Sequence, residues 1–301
     1  MRVGAVDLGT NSTRLLVADV DDGRVDEVAR ALTITRLGEG VDERRRLLPV
    51  RIARVRNVLA DFRRTLDRLG AERALAVATS AVRDAENGEA FLGEVEWSYG
   101  FATRLLTGDE EAALTFRGVT AGRTLEPGTL IVDIGGGSTE LILAGQHLSL
   151  DIGCVRLTER FGDDADAAGA YVAPLLPEID VRAAIGVAGT ITSLAALDLG
   201  LVDYDPNLVH GHVLTSDAVG AQLARLAALP LEERRRVSGL DPERAPVIVA
   251  GAAILREILR RYRLGRIEVS EHDLLHGAAL AAAELPEPAE GDAPPGAYTC
   301  C

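Results

Sequence analysis

An α/β protein of two related domains is the fold class this sequence predicts, and three observations carry that reading. A strand-like run ending in Asp7-Leu8-Gly9-Thr10-Asn11-Ser12 returns 126 positions later as Asp133-Ile134-Gly135-Gly136-Gly137-Ser138-Thr139-Glu140. Short β-type runs alternate with longer stretches of helical period. The chain's 301 residues exceed what a single hydrophobic core usually holds. The repeat places the first domain at residues 1–124 and the second at 125–285, hinged on Leu125-Glu126-Pro127-Gly128. Residues 286–301, rich in proline, small and acidic residues, read as a disordered tail.

The first domain opens β-rich from Met1 to Thr35. A helix follows over Pro49 to Leu69, closed by Gly70, then a strand at Ala74 to Ala78. Helical sequence covers Gly88 to Val95 and Glu110 to Val119. The second domain starts with a hairpin over 129–152 and continues with helices near Thr190 to Leu199, Asp217 to Leu229 and Pro242 to Tyr262. A last strand, Arg266 to Val269, leads to a helix from about Glu271 to Ala283, expected to return to the first domain.

Each copy of the repeat reads as a β-hairpin with a polar tip. A buried strand, Val3-Gly4-Ala5-Val6 or Leu130-Ile131-Val132, delivers an Asp into a turn of small residues, and strand sequence resumes after it. Gly9 and Gly135-Gly136-Gly137 let backbone amides approach an oxyanion, and Ser12, Ser138 and Thr139 add hydroxyl donors. A carboxylate beside such a cradle repels phosphate unless a divalent cation stands between them, so the pattern predicts phosphate plus Mg²⁺ or Mn²⁺. Taken singly, each tip is equally well an ordinary tight turn; the duplication is what separates the two readings. Rossmann and Walker-type loops run from strand to helix and do not fit. The chain has no lysine, its 32 basic residues being arginine, which excludes a P-loop lysine, a kinase lysine and a Schiff base.

These residues resemble the superfamily of actin, sugar kinases and heat-shock-chaperone ATPases, in which two ribonuclease H-like (actin-like) domains flank a central phosphate-binding cleft. Within it the order of motifs is similar to exopolyphosphatases and guanosine pentaphosphate phosphohydrolases. Those motifs are Ala5 to Ser12, Ala78-Thr79-Ser80-Ala81-Val82-Arg83-Asp84-Ala85, Thr107-Gly108-Asp109-Glu110-Glu111-Ala112 and Asp133 to Glu140. Gly186-Val187-Ala188-Gly189-Thr190 resembles the family's glycine turn in the second domain. The resemblance runs from Met1 to about Glu284 and implies a short two-domain form, without the C-terminal helical domain that longer members use to grip long chains.

The resemblance implies that Glu111 is the catalytic carboxylate orienting the attacking water, with Glu110 left to stabilise the helix start. It implies phosphate binding by Gly9, Thr10, Asn11, Ser12, Arg83, Gly135, Gly136, Gly137, Ser138, Thr139, Gly189 and Thr190. A cation would be held by Asp133 and Glu140, with Asp7 assisting. An ion pair with Asp84 or Glu86 is the alternative reading of Arg83. Arg14 is a weaker phosphate candidate that would equally point to solvent. His210-Gly211-His212 and the pair His272 and His276 lack the partners of a metal site and read as helix surface or interdomain contact. Arg44-Arg45-Arg46, Arg234-Arg235-Arg236 and Arg260-Arg261 read as solvated faces.

A net charge of −14 argues against nucleic-acid partners and against a broad basic track for very long polyphosphate. Short-chain polyphosphate is therefore the expected substrate. Guanosine pentaphosphate is the runner-up, and a non-hydrolytic nucleotide-binding switch is the alternative from another class. No stretch approaches roughly 18 uncharged apolar residues, so no membrane span is expected. Cys154 stands apart from Cys300-Cys301, so no disulfide framework is expected, which fits a cytoplasmic protein. A homodimer is left open.

Overall fold

A computed structural model describes residues 1–286; the tail assigned to 286–301 lies outside the described residues apart from Pro286. Two compact units divide the chain. Of the described residues, unit 1 combines Met1–Arg123 with the segment that begins at Leu274 and ends at Pro286, and unit 2 is Thr124–Asp273. The second unit thus ends before the last helix, which belongs to unit 1.

Unit 1 contains strands β1 (Arg2–Leu8), β2 (Ser12–Asp21), β3 (Arg24–Ile34), β4 (Arg73–Ala78) and β5 (Ala102–Leu105). Its helices from the N-terminal part are α1 (Val41–Arg44), α2 (Pro49–Leu69), α3 (Ser80–Arg83), α4 (Gly88–Tyr99) and α5 (Gly108–Thr120). The sheet order is β3-β2-β1-β4-β5, with β1 to β3 an antiparallel meander and β4 and β5 added in parallel. Alternation along β1 sends Val6 and Leu8 into a core with α2 and α4, and Val3 and Ala5 into a second core with Leu114 of α5. Asp7 shares the parity of Val3 and Ala5, so it lies on the α5 face. α2 begins with Pro49 in its first turn and ends at Gly70, whose φ of 71° suits glycine.

Unit 2 repeats this plan. Its strands are β6 (Thr129–Ile134), β7 (Thr139–Leu143), β8 (Gln146–Leu150), β9 (Ala183–Val187), β10 (Val213–Thr215) and β11 (Arg266–Val269). Its helices are α6 (Cys154–Phe161), α7 (Ala165–Val172), α8 (Ala188–Asp198), α9 (Pro206–Val209), α10 (Ser216–Ala228), α11 (Leu231–Arg234) and α12 (Ile248–Arg261). The sheet reads β8-β7-β6-β9-β11, the order of unit 1, with β10 added antiparallel at the edge. The hairpin repeat seen in the sequence is therefore a repeat of whole sheets.

Helix α13 (Leu274–Ala283) closes unit 1. Gly277 lies so close to α5 that an added Cβ would strike the Leu114 carbonyl, which only glycine permits. Arg73 donates to the carbonyls of Ala283 and Leu285 at the end of α13, and Arg117 holds Glu284 at 2.6 Å. No helix of the described residues is long and apolar enough to cross a membrane.

Three expectations change. The predicted helix from Pro242 starts at Ile248, because Pro246 lacks an N–H and disfavours helix at Ala245. His272 precedes α13 instead of lying on it, with its ring 4.7 Å from that of His210, while His276 on the helix is buried. Arg234 is not on a solvated face: it is 0% exposed and donates to the carbonyls of Leu226, Leu229 and Ala245 and to Asp163 at 2.7 Å.

Candidate active site

The two hairpin tips are built alike. Across β1 and β2, Asp7 faces Arg14 and Leu8 faces Thr13; across β6 and β7, Asp133 faces Glu140 and Ile134 faces Thr139. Each turn closes with one bond, from the Gly9 N–H to the Ser12 carbonyl and from the Gly135 N–H to the Ser138 carbonyl, both 3.0 Å. A Cβ on Gly9 would come within 2.9 Å of the Ser12 oxygen, so the turn needs its glycine.

Hydrogen bonds on the carbonyl side fix where the tip amides point. In unit 2 the carbonyl of Gly135 accepts from the Cys154 N–H at 3.0 Å. That of Gly136 accepts from Val155 at 2.8 Å and Arg156 at 3.2 Å, and that of Gly137 from Arg156 Nε at 2.9 Å. In a trans peptide the carbonyl and the following N–H point in opposite directions. The N–H groups of Gly136, Gly137 and Ser138 are thereby turned away from α6, a nest-like arrangement of donors that could accept an oxyanion. The same bonds satisfy the first amides of α6, which has no side-chain cap. A Cβ on its N-cap, Gly153, would overlap Gly136 and Gly137 backbone atoms.

In unit 1 the Thr10 carbonyl accepts from Gly38 at 2.8 Å, and the Asn11 carbonyl from Thr35 at 3.0 Å and Arg36 at 2.9 Å. The Asn11 and Ser12 amides accordingly face the other way. Thr10 Oγ1 lies 2.8 Å from Ser80 Oγ, joining this tip to the turn that carries Arg83. Thr139 is corrected: its buried hydroxyl donates to the Ile152 carbonyl inside unit 2, so it is spent on the fold.

The carboxylates differ between the tips. Asp7 Oδ2 accepts from Arg14 Nε at 2.9 Å and pairs with Arg14 Nη2 at 2.8 Å, so Arg14 does not point to solvent. At the matching position of unit 2 stands Glu140, whose Oε1 accepts from Ser149 Oγ at 2.9 Å. Asp133 and Glu140 are 7% and 1% exposed and oppose each other across the ladder. Like charges so placed repel, and burial worsens it. A cation between or beside them would relieve that repulsion.

Glu111 lies in the first turn of α5 and is 7% exposed. Arg83 Nη1 donates to the Leu106 carbonyl at 2.7 Å and lies 3.4 Å from Glu111 Oε2, so its partner is Glu111 and not the surface acids of the alternative reading. The adjacent acid has a different task. Thr107 Oγ1 accepts from the Glu110 N–H at 3.2 Å while Glu110 Oε2 accepts from the Thr107 N–H at 2.8 Å, forming a capping box. Those bonds from Thr107 hold the Glu110 carboxyl below the usual carboxylate range. A lowered folded pKa means stability that is present above the unfolded pKa and is lost as pH falls through the folded value. Glu110→Gln should therefore flatten the acid-side dependence of Tm seen in wild type, and Thr107→Ala should cost about 1 kcal/mol of stability; thermal unfolding between neutral and acid pH checks both.

The glycine turn of unit 2 follows β9, whose Val187 is in register with Asp133. Ala188 sits at φ 65°, a left-handed position unusual for a residue with a Cβ, and α8 starts there. Gly189 and Thr190 thus belong to the first turn of a helix, where amides favour anions. The guanidinium of Arg244 covers Gly189 so closely that a Cβ there would overlap it. Cys154 is tied to the nest, its backbone N–H donating to the Gly135 carbonyl, and burial pushes its thiol pKa up. Arg244, Arg156 and Gly153 were not found from sequence. Arg244 stands alone between Pro242 and Pro246, and Arg156 opens a helix that has no side-chain cap.

Within unit 1 the structure brings together Gly9 to Ser12, Ser80, Arg83 and Glu111 through direct contacts, with Asp7 on the α5 face. Within unit 2 it joins Asp133, Gly135 to Ser138, Glu140, Gly189 and Thr190. Among the described residues no three His, Cys, Asp or Glu side chains cluster as a ready-made metal centre.

Comparison with known proteins agrees with this architecture. The profile of the Ppx/GppA phosphatase family matches residues 16–284. Exopolyphosphatase 2 of Mycobacterium tuberculosis is 38% identical, over 94% of this chain and 98% of its own length. The crystal structure of the Aquifex aeolicus PPX-GPPA enzyme, 32% identical, superposes with a TM-score of 0.78 over 93% of this chain and 99% of that one. An exopolyphosphatase from Cytophaga hutchinsonii, 26% identical, gives 0.82 over 92% and 96%. With the duplicated sheet, the paired tips and these matches in hand, the chain belongs to the Ppx/GppA phosphatase family and has its actin-like two-domain fold.

Proposed function

We propose that this protein is an exopolyphosphatase: a phosphoanhydride hydrolase that releases terminal orthophosphate from inorganic polyphosphate, with a preference for short chains and dependence on Mg²⁺. The observation that carries the reading is the pair of amide-lined tips, one backed by the buried carboxylates Asp133 and Glu140. Cradles of oriented N–H groups suit phosphate oxygens, and no recognition of an organic group is needed to use them.

In this reading the Asn11 and Ser12 amides of unit 1 hold oxygens of the terminal phosphate, and the Gly136, Gly137 and Ser138 amides are a second cradle for phosphate oxygens in unit 2. Glu111 accepts a proton from the attacking water as its oxygen bonds to the terminal phosphorus. The bond from phosphorus to the bridging oxygen breaks, and the shortened chain leaves with that oxygen. Arg83 orients the Glu111 carboxylate and adds a fixed positive charge. Two buried carboxylates supply hard oxygen donors, which fits Mg²⁺ or Mn²⁺ completed by water and substrate. When bound, the ion would neutralise charge on the phosphate oxygens. Asp7 carries its own counter-charge in Arg14, so Asp133 and Glu140 are the ligands proposed.

Orthophosphate release from short polyphosphate, long polyphosphate, guanosine pentaphosphate and ATP tests the proposal. Short polyphosphate should give the highest kcat/KM. Preference for guanosine pentaphosphate would replace polyphosphate as the substrate, and no release from any of the four would contradict hydrolysis. Asp133→Asn and Glu140→Gln should each raise the Mg²⁺ concentration for half-maximal rate by ten-fold or more, on the order of one lost charged ligand. An unchanged Mg²⁺ titration in both would remove the cation from this pair.

A further inference from the structure

Arg44, Arg45 and Arg46 end α1 and begin the loop after it, all three exposed. Their guanidinium groups make no hydrogen bond or ion pair among the described residues. Arginines elsewhere in unit 1 are differently placed: Arg2, Arg30, Arg51 and Arg56 all hold carboxylates. Three consecutive uncommitted cations are conspicuous in a chain of net charge −14.

Their position is fixed from both sides by elements of the unit 1 phosphate site. On one side, the segment leading into α1 is laced to the tip by the bonds from Thr35, Arg36 and Gly38 to Asn11 and Thr10. On the other, the Arg45 carbonyl accepts from the Glu86 N–H at 2.8 Å, and Leu47 and Asn87 exchange bonds at 2.8 and 3.1 Å, tying the triplet to the loop just after Arg83. Arg45 is itself left-handed, with φ 54°, where glycine would hold the turn with less strain. Of the nearby acids, Glu39 is taken by Arg51, while Asp42, Glu43 and Glu86 are exposed beside the triplet.

We propose that Arg44, Arg45 and Arg46 form a second anion subsite, which binds internal phosphates of a polyphosphate chain whose end is held at the Gly9–Ser12 tip. The inference rests on the polyphosphate reading of that tip. Guanidinium groups pair well with phosphate oxygens, and a short local cluster offsets at close range the repulsion that the whole protein exerts at long range. Affinity then rises with chain length until the chain reaches the triplet, and phosphates beyond it meet only the repulsion of a protein of net charge −14, which keeps the optimum at short chains.

The test compares wild type, the triple variant Arg44→Gln/Arg45→Gln/Arg46→Gln, and a control of equal charge change in unit 2, Arg225→Gln/Arg235→Gln/Arg236→Gln. The ratio of kcat/KM for long-chain polyphosphate to that for tripolyphosphate should fall about ten-fold in the triplet variant, as expected for three exposed charge contacts, and stay at the wild-type value in the control. A ratio unchanged in the triplet variant, or lowered equally in the control, overturns the subsite. Calorimetric binding of long-chain polyphosphate to Glu111→Gln, with and without the triplet, reads the same contact without turnover. Weaker binding on loss of the triplet then supports the subsite even where hydrolysis fails, and equal binding refutes it.

Discussion

Glu111→Gln should lower kcat for orthophosphate release by roughly 10²–10⁴-fold while Tm changes little. Both halves follow from where the side chain sits. The start of α5 is held by the reciprocal bonds of Thr107 and Glu110, so removing the charge of Glu111 leaves the helix cap intact. What glutamine cannot do is take the proton of a water molecule, although it keeps the volume of the side chain and can still accept from Arg83 at 3.4 Å. Steady-state kinetics beside a thermal melt separates the possibilities. Activity lost with Tm retained supports proton abstraction; activity and Tm lost together assigns Glu111 to structure; retained activity ends its catalytic role.

Gly153→Ala is the second large effect expected. The new methyl would occupy space filled by Gly136 and Gly137 backbone atoms, and neither has a flexible side chain that can give way. The tip must shift, and with it the amides that its carbonyl bonds to Cys154, Val155 and Arg156 hold in place. Overpacking of this kind costs about 1–3 kcal/mol, and one misaimed oxyanion donor costs about 10²-fold or more in rate. The expected result is a drop of about 100-fold in kcat/KM with a Tm lowered by several degrees. Wild-type kinetics in Gly153→Ala would show that the nest tolerates displacement and is not the phosphate cradle.

Much of the fold was legible because the two hairpins repeat both residue types and spacing, and because strand and helix periods differ. α2 was read from Pro49 to Gly70 since both its ends carry sequence signals, proline in the first turn and glycine after the last. The helices α6 and α7 went unread. α6 is capped by carbonyls of a loop that precedes it by a whole hairpin, and local sequence does not carry such a signal. The nest residues were legible as glycines, but the Arg156 bond that aims them was not. Arg234 shows the limit of charge patterning: three arginines in a row suggest solvent, yet the first is fully buried because carbonyls of Leu226, Leu229 and Ala245 converge on it. Asp7 and Asp133 look equivalent in sequence. Their difference lies in the residue opposite, Arg14 or Glu140, and a register is needed to see it.

Product analysis of a short polyphosphate labelled at its terminal phosphates, incubated with the wild-type protein and Mg²⁺, addresses the central claim most directly. With both ends labelled, labelled orthophosphate should appear first, together with chains one phosphate shorter that keep the label at their other end, and Glu111→Gln should release almost none. Labelled pyrophosphate or mid-length fragments appearing before orthophosphate would mean internal cleavage, and an unchanged chain would mean no hydrolysis; either result contradicts terminal orthophosphate release by this site.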